Sequence, residues 1–263
     1  TLGATTVLCT DKTGTLTQNR MTLMALVGTA SQRWLATSQQ ELSESDKTLL
    51  NAALLACRLM PSDPMDIAIH KLAESHSALT ADRNAPLLRA YGLRPDLFAT
   101  TNILKCDGES EPQAYSKGAL EAIAQLCHLS PEQLSRLTAQ ANELASEGMR
   151  VLAVGKARVP AGALPESPTA LQFEYLGLLA FADPLRDTVP AAVAECQSAG
   201  IRIVMITGDY PTTAKAIALQ AGLPPSDVLV GDDLEKLSDI ELAERVKTTS
   251  IFARIRPQQK LRL

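Results

Sequence analysis

The chain has 263 residues, of which 46% are hydrophobic and 21% charged, and 25 Lys and Arg against 29 Asp and Glu give a formal charge of −4. This composition predicts a globular protein with one large or two modest cores and argues against disorder. Only 3% of the residues are aromatic, so neither charge nor aromatic content indicates a nucleic-acid partner. The five cysteines are scattered, which favours a reducing compartment over a disulfide framework or zinc site.

No apolar run reaches the roughly 20 residues that a membrane-spanning helix requires. The longest uninterrupted stretch is Leu176–Ala182, and the start lacks a charged-then-apolar signal pattern. We therefore predict no direct membrane insertion by this chain. An apolar stretch almost directly after Thr1 and the stop at Leu263 lead us to expect a fragment of a larger protein.

The first strand is predicted at Ala4–Cys9, and the middle of the chain mixes helices with strands joined by tight turns. Helices are predicted at Lys47–Met60, Asp66–Ala73 and Pro131–Glu147, and strands at Tyr91–Leu104, Gln113–Lys117 and Arg150–Ala157, with a turn at Asp107–Ser110. This mixture is typical of a mostly antiparallel α+β unit.

The last third alternates helices with short apolar strands. Helices are predicted at Asp187–Ala199, Pro211–Ala221 and Leu234–Val246, and strands at Ile201–Ile206, Val228–Val230 and Ser250–Ala253. Such alternation indicates an α/β fold with a parallel sheet wrapped by helices, whose ligands lie at the carboxyl ends of the strands. The simplest arrangement is a discontinuous parallel domain, residues 1–24 and 178–263, into which residues 25–177 are inserted.

A possible nucleophile follows the first strand. Asp11 is succeeded by Gly14 and three threonines, and a carboxylate in this setting can attack a phosphoryl group to form an acyl phosphate. Backbone N–H groups of a glycine-containing loop, with Thr hydroxyls, would hold the phosphate oxygens. An isolated Asp-x-x-Gly more often caps a turn, but the full string Asp11–Thr17 is poorly explained in that way.

The string Asp11–Thr17 resembles the phosphorylation signature of P-type ion-pumping ATPases. Six further stretches resemble motifs of that family in the expected order: Asp63–Asp66, Lys117–Ala119, Gly148–Arg150, Asp183–Arg186, Thr207–Asp209 and Ala253–Lys260. The resemblance implies a phosphorylation domain of haloacid-dehalogenase-like fold with an inserted α+β nucleotide-binding domain. The arrangement predicted from the pattern of strands and helices is the same.

The resemblance also implies roles for individual residues. Asp11 attacks the γ-phosphate of ATP, while Mg²⁺ bridges Asp11 and the backbone carbonyl of Thr13. Thr207 and Gly208 bind phosphate oxygens, and Lys260 neutralises charge beside Asp11. The other residues implied in nucleotide binding are Asp66, Lys117, Gly118, Arg150, Asp183, Arg186 and Asp209. Taken singly, several of these have ordinary interpretations, such as a solvated helix residue or a surface turn.

Thr13 distinguishes an ion pump from a soluble phosphatase of the same fold. Soluble phosphatases of the same fold resemble Asp-x-Asp, with the second Asp as the acid and base that hydrolyses the intermediate, and Thr13 cannot do this near neutral pH. We therefore expect a long-lived aspartyl phosphate and a pump rather than a soluble phosphatase. A nucleotide-sensing regulatory module is the non-enzymatic alternative.

The sequence departs from the family pattern in two places. Many members carry an aromatic residue that stacks on adenine and a lysine a few positions later, where this chain has Leu93 and Phe98. Alternation along the strand favours burial of Phe98 in the core over stacking on adenine, so adenine binding is expected to be weak. The family's Gly-Asp-Gly-x-Asn-Asp motif should lie downstream of Lys260, so this chain by itself is expected to turn over little ATP.

The resemblance implies the catalytic portion of a cation pump, placed on the cytoplasmic side of a membrane. Calcium, or another hard cation, is the first expectation for the transported ion. ATP and Mg²⁺ are the implied cofactors, and the remaining domains and transmembrane helices of the same pump are the implied partners.

Overall fold

The computed structural model describes residues 5–29, 33–36, 40–57, 60–76, 85–106, 108 and 111–263. Three sequence-based predictions lie partly outside these residues: the start of the first strand, the end of the first helix at 58–59, and the turn at 107–110. The described residues form two compact units: unit 1 contains those within the ranges 1–20, 145–149 and 183–263, and unit 2 contains those within the ranges 21–144 and 150–182.

The strands are β1 (Val7–Asp11), β2 (Thr22–Gly28), β3 (Arg33–Leu35), β4 (Leu87–Tyr91), β5 (Ala99–Leu104), β6 (Gln113–Gly118), β7 (Arg150–Arg158), β8 (Glu174–Ala182), β9 (Arg202–Ile206), β10 (Val228–Val230) and β11 (Ile251–Ala253). The helices are α1 (Glu44–Leu55), α2 (Pro64–Ser75), α3 (Leu120–Leu126), α4 (Pro131–Ser146), α5 (Val189–Ser198), α6 (Pro211–Gln220), α7 (Gly231–Leu234), α8 (Asp239–Thr248) and α9 (Pro257–Lys260). Among the described residues, no helix combines the length and apolar character needed to cross a bilayer.

Unit 1 contains a four-stranded parallel sheet in the order β1-β9-β11-β10. Alternate residues of β9 enter different cores: Ile203 and Met205 pack with α5 and α6, while Val204 packs with Leu242 of α8. Helices therefore cover both faces of β9, which is why this strand is apolar at successive positions. The parallel α/β architecture predicted for the last third is confirmed.

Unit 2 contains a seven-stranded antiparallel sheet in the order β3-β2-β8-β7-β6-β5-β4. Helices α1 and α2 pack on one face, in a core that includes Leu49, Ile69, Val154 and Phe181. Helix α3 contacts β6 and β7. The predicted antiparallel α+β unit is likewise confirmed.

Unit 2 begins and ends in paired strands. Its first stretch starts at Met21 and its last ends at Ala182, and strand β2 pairs with β8 along almost its whole length, from Thr22 opposite Ala182 to Gly28 opposite Gly177. The two ends predicted for the inserted domain, next to residues 24 and 178, therefore lie within the pair formed by β2 and β8. The functional division into domains stays a prediction.

Two element predictions are wrong. The single strand expected at Tyr91–Leu104 is interrupted, because Arg94 and Leu97 bond to each other across a tight turn that separates β4 from β5. The helix expected at Leu234–Val246 is wrong at its start, because Leu234 ends α7 and α8 begins only at Asp239. Ser238 accepts from the N–H of Glu241, and the Glu241 side chain accepts from the N–H of Ser238. This capping box sets the start of α8.

Candidate active site

Asp11 is the last residue of β1, at the carboxyl edge of the parallel sheet. The chain then forms a tight turn over Lys12–Leu16, closed by a hydrogen bond from the N–H of Thr17 to the carbonyl of Lys12 at 3.0 Å. Gly14 has a φ of +78° within this turn, a conformation that favours glycine. The turn exposes Thr13 and leaves 46% of the Asp11 side chain exposed.

Lys260 contacts the carboxylate of Asp11. Its Nζ lies 2.7 Å from Asp11 Oδ2, although the two residues are 249 positions apart in the sequence. Lys260 is the last residue of α9, which begins at Pro257, and Arg256 donates its N–H to the Gln259 side chain at 2.8 Å to cap this turn. A cation is therefore held against the exposed carboxylate, where it can offset added negative charge.

A second ion pair joins the Asp11 turn to the loop that follows β9. Lys12 Nζ lies 2.5 Å from Asp209 Oδ2, and the Lys12 side chain is only 8% exposed. Thr207 is buried, and its Oγ1 accepts from the N–H of Asp209 at 3.1 Å, while Gly208 between them is exposed. Sequence reasoning missed Lys12, although its place directly after Asp11 could have suggested a charged neighbour.

The loop after β11 supports the loop after β9. Arg254 donates its N–H to the carbonyl of Asp209 at 2.9 Å and has a φ of +55°. Its guanidinium carbon lies 4.5 Å from the ring centroid of Tyr210, a cation–π distance. Strands β9 and β11 are neighbours in the sheet, so these contacts join their carboxyl ends.

Asp183 and Arg186 hold the Asp11 turn. The Thr17 hydroxyl donates to Asp183 Oδ2 at 2.6 Å, and the N–H of Arg20 donates to Asp183 Oδ1 at 3.0 Å. Arg186 donates to the carbonyls of Gly14 at 2.8 Å and Thr17 at 3.1 Å. The two side chains therefore position the Asp11 turn, while their predicted contact with nucleotide stays a prediction.

Unit 2 contains a cavity of about 740 Å³ with a buried ion pair in its wall. Lys117 Nζ lies 2.6 Å from Asp66 Oδ1, and each side chain is 9% exposed. Asp66 stands in the first turn of α2, where Asp63 accepts from the N–H groups of Met65 and Asp66. The structure thus brings together two residues that the sequence assigned to one nucleotide pocket.

The aromatic residue of this cavity is exposed. Phe98 is 62% exposed and lines the cavity together with Leu93 and Gly118, so the expectation that alternation buries Phe98 is wrong. The turn between β4 and β5 resets the alternation on which that expectation depended. Arg150 is exposed at the start of β7 and is not among the lining residues, whereas the next residue, Val151, is.

Burial raises the thiol pKa of two cysteines. It raises the pKa of the Cys57 thiol far above its ordinary value, against a smaller opposing effect of Lys117. Burial and the Glu174 carboxylate raise the pKa of Cys127 to about 12. Within the described residues, no group of three or more His, Cys, Asp or Glu side chains is arranged to hold a metal ion.

The chain matches known proteins over almost its full length. A family model described as haloacid dehalogenase-like hydrolase matches residues 5–247. Calcium-transporting ATPase 1 of Lactococcus lactis is 30% identical over the whole chain, and the probable cation-transporting ATPase F of Mycobacterium bovis is 33% identical over the whole chain. The potassium-transporting ATPase alpha chain 2 of Cavia porcellus is 31% identical over 93% of the chain.

These alignments cover 32%, 34% and 28% of the respective relatives, so the chain spans about a third of their length. The resemblance to cation-transporting ATPases that the motifs indicated is confirmed by these relatives. The family match covers the Asp11 turn and three strands of the parallel sheet, β1, β9 and β10, and it ends before β11. The chain therefore belongs to the haloacid dehalogenase-like hydrolase family.

Proposed function

We propose that this chain is the ATP-using catalytic portion of a cation-transporting P-type ATPase, in which Asp11 accepts the γ-phosphoryl group of ATP. The observation that carries the proposal is the exposed Asp11 carboxylate at the edge of a parallel sheet, 2.7 Å from the ammonium of Lys260. The names of the relatives support cation transport by the complete protein.

The chemistry follows from these charges. A carboxylate oxygen of Asp11 forms a bond to the γ-phosphorus, the bond between that phosphorus and the bridging oxygen breaks, and ADP leaves with the electron pair. Lys260 offsets negative charge on the transferred group. The backbone N–H of the exposed Gly208 and the hydroxyl of the neighbouring, buried Thr207 are the donors for the phosphate oxygens. Lys12 and Asp209 neutralise each other and fix the loop.

The residues at the Asp11 turn fit a Mg²⁺ ion that would be bound jointly by the protein and the substrate phosphates. Mg²⁺ is typically held by one or two carboxylates together with phosphate oxygens and water, and the turn offers the exposed carboxylate of Asp11 with the backbone of Thr13 beside it. When bound, the ion would draw negative charge away from the phosphate oxygens.

The composition of the turn favours a persistent intermediate. Thr13 is exposed two residues after Asp11, and its hydroxyl cannot act as a general base near neutral pH. The next carboxylate in the neighbouring loop, Asp209, is paired with Lys12. Slow hydrolysis of the aspartyl phosphate suits coupling to a conformational change and argues against a soluble phosphatase.

The cavity of unit 2 is the proposed nucleotide site. Asp66 can accept from an exocyclic amino group of a base, and Lys117 can contact phosphate or base acceptors once the nucleotide competes for the ion pair. Gly118 and Arg150 are further residues proposed to bind the nucleotide. Asp183, Arg186 and Asp209, which contact the Asp11 turn, are proposed in the same role.

The intact protein would act at the cytoplasmic side of a membrane, with its other domains and transmembrane helices as partners. Two of the relatives named above transport calcium or potassium by name. Calcium or another hard cation is accordingly proposed as the transported ion.

The test is labelling of the full-length protein with γ-³²P-ATP and Mg²⁺. An acid-stable label that hydroxylamine removes is expected, and it should be lost in Asp11→Asn but kept in the matched surface control Asp232→Asn, whose side chain is 75% exposed. Rapid phosphatase turnover without accumulated label would favour a soluble phosphatase. ATP binding with no label at all would favour a nucleotide sensor.

A further inference from the structure

The contact between Lys260 and Asp11 depends on the short helix α9. Strand β9 lies between β1 and β11 in the sheet, so the chain that follows β11 brings Lys260 to Asp11 across an intervening strand. A lysine side chain has a flexible four-carbon stem and loses rotamer entropy when it is held in one geometry. The position of the Lys260 backbone therefore decides whether its ammonium reaches the carboxylate.

Gln259, the residue before Lys260, has a buried side chain with a complete set of hydrogen bonds. It is 7% exposed. Its amide nitrogen donates to the carbonyl of Gly231 at 3.0 Å and to Glu235 Oε1 at 2.7 Å. Its amide oxygen accepts from the N–H of Arg256 at 2.8 Å. Both amide N–H groups and the oxygen are therefore satisfied, as burial of an amide requires.

These bonds seat α9 on α7. Strands β10 and β11 are parallel neighbours, and α7 follows the first as α9 follows the second. A Cβ at Gly231 would lie 2.4 Å from the carbonyl oxygen of Arg254 and 2.7 Å from Gln259 Oε1, so only glycine permits this close approach. A helix as short as α9 is not stable by itself, and its position accordingly depends on such contacts.

We propose that Gln259 is a positioning residue for phosphoryl transfer, which fixes α9 on α7 and thereby holds the Lys260 ammonium at the Asp11 carboxylate. Gln259 acts through Lys260, since its own polar groups are occupied by Gly231, Glu235 and Arg256. The inference rests on the proposed function and deepens it, because it assigns the support of a lysine that lies 249 positions from Asp11 in the sequence.

The experiment measures the initial rate of Asp11 labelling in the full-length protein with Mg²⁺ and saturating γ-³²P-ATP. Gln259→Met keeps much of the side-chain volume and removes all three hydrogen bonds. A misplacement of about 1 Å can cost up to 100-fold in rate, so we expect a fall of roughly 10- to 100-fold. Gln258→Met is the matched control, because it makes the same change at the neighbouring, exposed residue of α9, and its rate should be unchanged.

A cycle with Lys260→Met separates positioning from a general structural role. If Gln259 acts through Lys260, then Gln259→Met should lower the rate little further once residue 260 is already Met. The ATP concentration for half-maximal labelling should stay the same, because the proposed nucleotide cavity is lined by residues of unit 2. Losses that multiply in the double variant would overturn the proposal, and so would equal rates for Gln259→Met and Gln258→Met.

Thermal unfolding shows whether each variant is folded. If Gln259→Met does not fold, Glu235→Ala decides, because the Glu235 side chain is 52% exposed and its removal deletes only one of the three bonds. We expect a smaller fall in rate that disappears in the Lys260→Met background, and an unchanged rate would overturn the proposal. Absence of label in the unchanged protein would instead overturn the proposed function.

Discussion

The buried pair of Asp66 and Lys117 allows the sharpest test of unit 2. Each side chain is 9% exposed and the Nζ–Oδ1 distance is 2.6 Å. Replacing Lys117 by Met keeps much of the side-chain volume but leaves the Asp66 carboxylate buried without its cation. Removal of one partner from a buried pair typically costs about 3–5 kcal/mol of unfolding free energy.

For a unit of roughly 150 residues, each kcal/mol lowers the melting temperature by about 2–4 °C. Lys117→Met should therefore lower the melting temperature of unit 2 by roughly 10 °C. The double variant Asp66→Asn with Lys117→Met removes both charges and should recover a large part of this loss, because no unpaired charge remains buried. Calorimetric melting of the four proteins of this cycle provides the measurement.

Lys47→Met is the control in the same unit. Lys47 pairs with Glu44 at 2.7 Å, but the Glu44 side chain is 90% exposed, so solvent screens the pair and little change in melting temperature is expected. The reasoning is refuted if Lys117→Met melts like the unchanged chain. It is also refuted if the double variant is no more stable than the single one.

Asp183→Ala removes the acceptor of the Thr17 hydroxyl and should destabilise the Asp11 turn by about 2 kcal/mol; faster amide hydrogen exchange there is the readout, and unchanged exchange would contradict it. N-ethylmaleimide at neutral pH should modify exposed Cys9 while the native fold protects Cys127, whose pKa is raised to about 12 by burial; peptide mass spectrometry decides, and early labelling of Cys127 would be the opposite result. The backbone N–H of Ser238 lowers the pKa of Glu241, so its stabilisation is present above the ordinary Glu pKa and is lost as pH falls through the lowered value. Glu241→Gln should flatten unfolding free energy against pH in that acidic range, and an unaltered slope would refute this.

Local features of the site were readable in the sequence. The position of Asp11 at the end of an apolar strand, and of Gly14 in the turn after it, depends on residues that are close along the chain. The start of α8 was equally local, since Ser238 and Glu241 form a capping box three residues apart, but the helical pattern from Leu234 concealed it. Such features follow from backbone hydrogen bonding between near neighbours.

The exposure of Phe98 depends on the turn a few residues before it, between β4 and β5. Alternation predicts which face a strand residue occupies only while the strand is continuous. The turn closed by hydrogen bonds between Arg94 and Leu97 ends that continuity. Alternation counted through the turn therefore could not predict which face of the sheet Phe98 occupies. Pro95 within the predicted strand was the available signal, because proline lacks the N–H that a continuing ladder requires.

The residue types, their order and the short apolar strands determined the fold class, the phosphate chemistry expected of Asp11 and the family. The resemblance already placed Lys260 beside Asp11, and the structure gives that contact. Only the tertiary structure decided that Lys12 pairs with Asp209 and that Asp183 accepts from the Thr17 hydroxyl. The reason is geometric. Parallel strands bring loops that are far apart in the sequence to one edge of a sheet, and which side chains contact there depends on strand order and loop closure that residue identity alone does not specify.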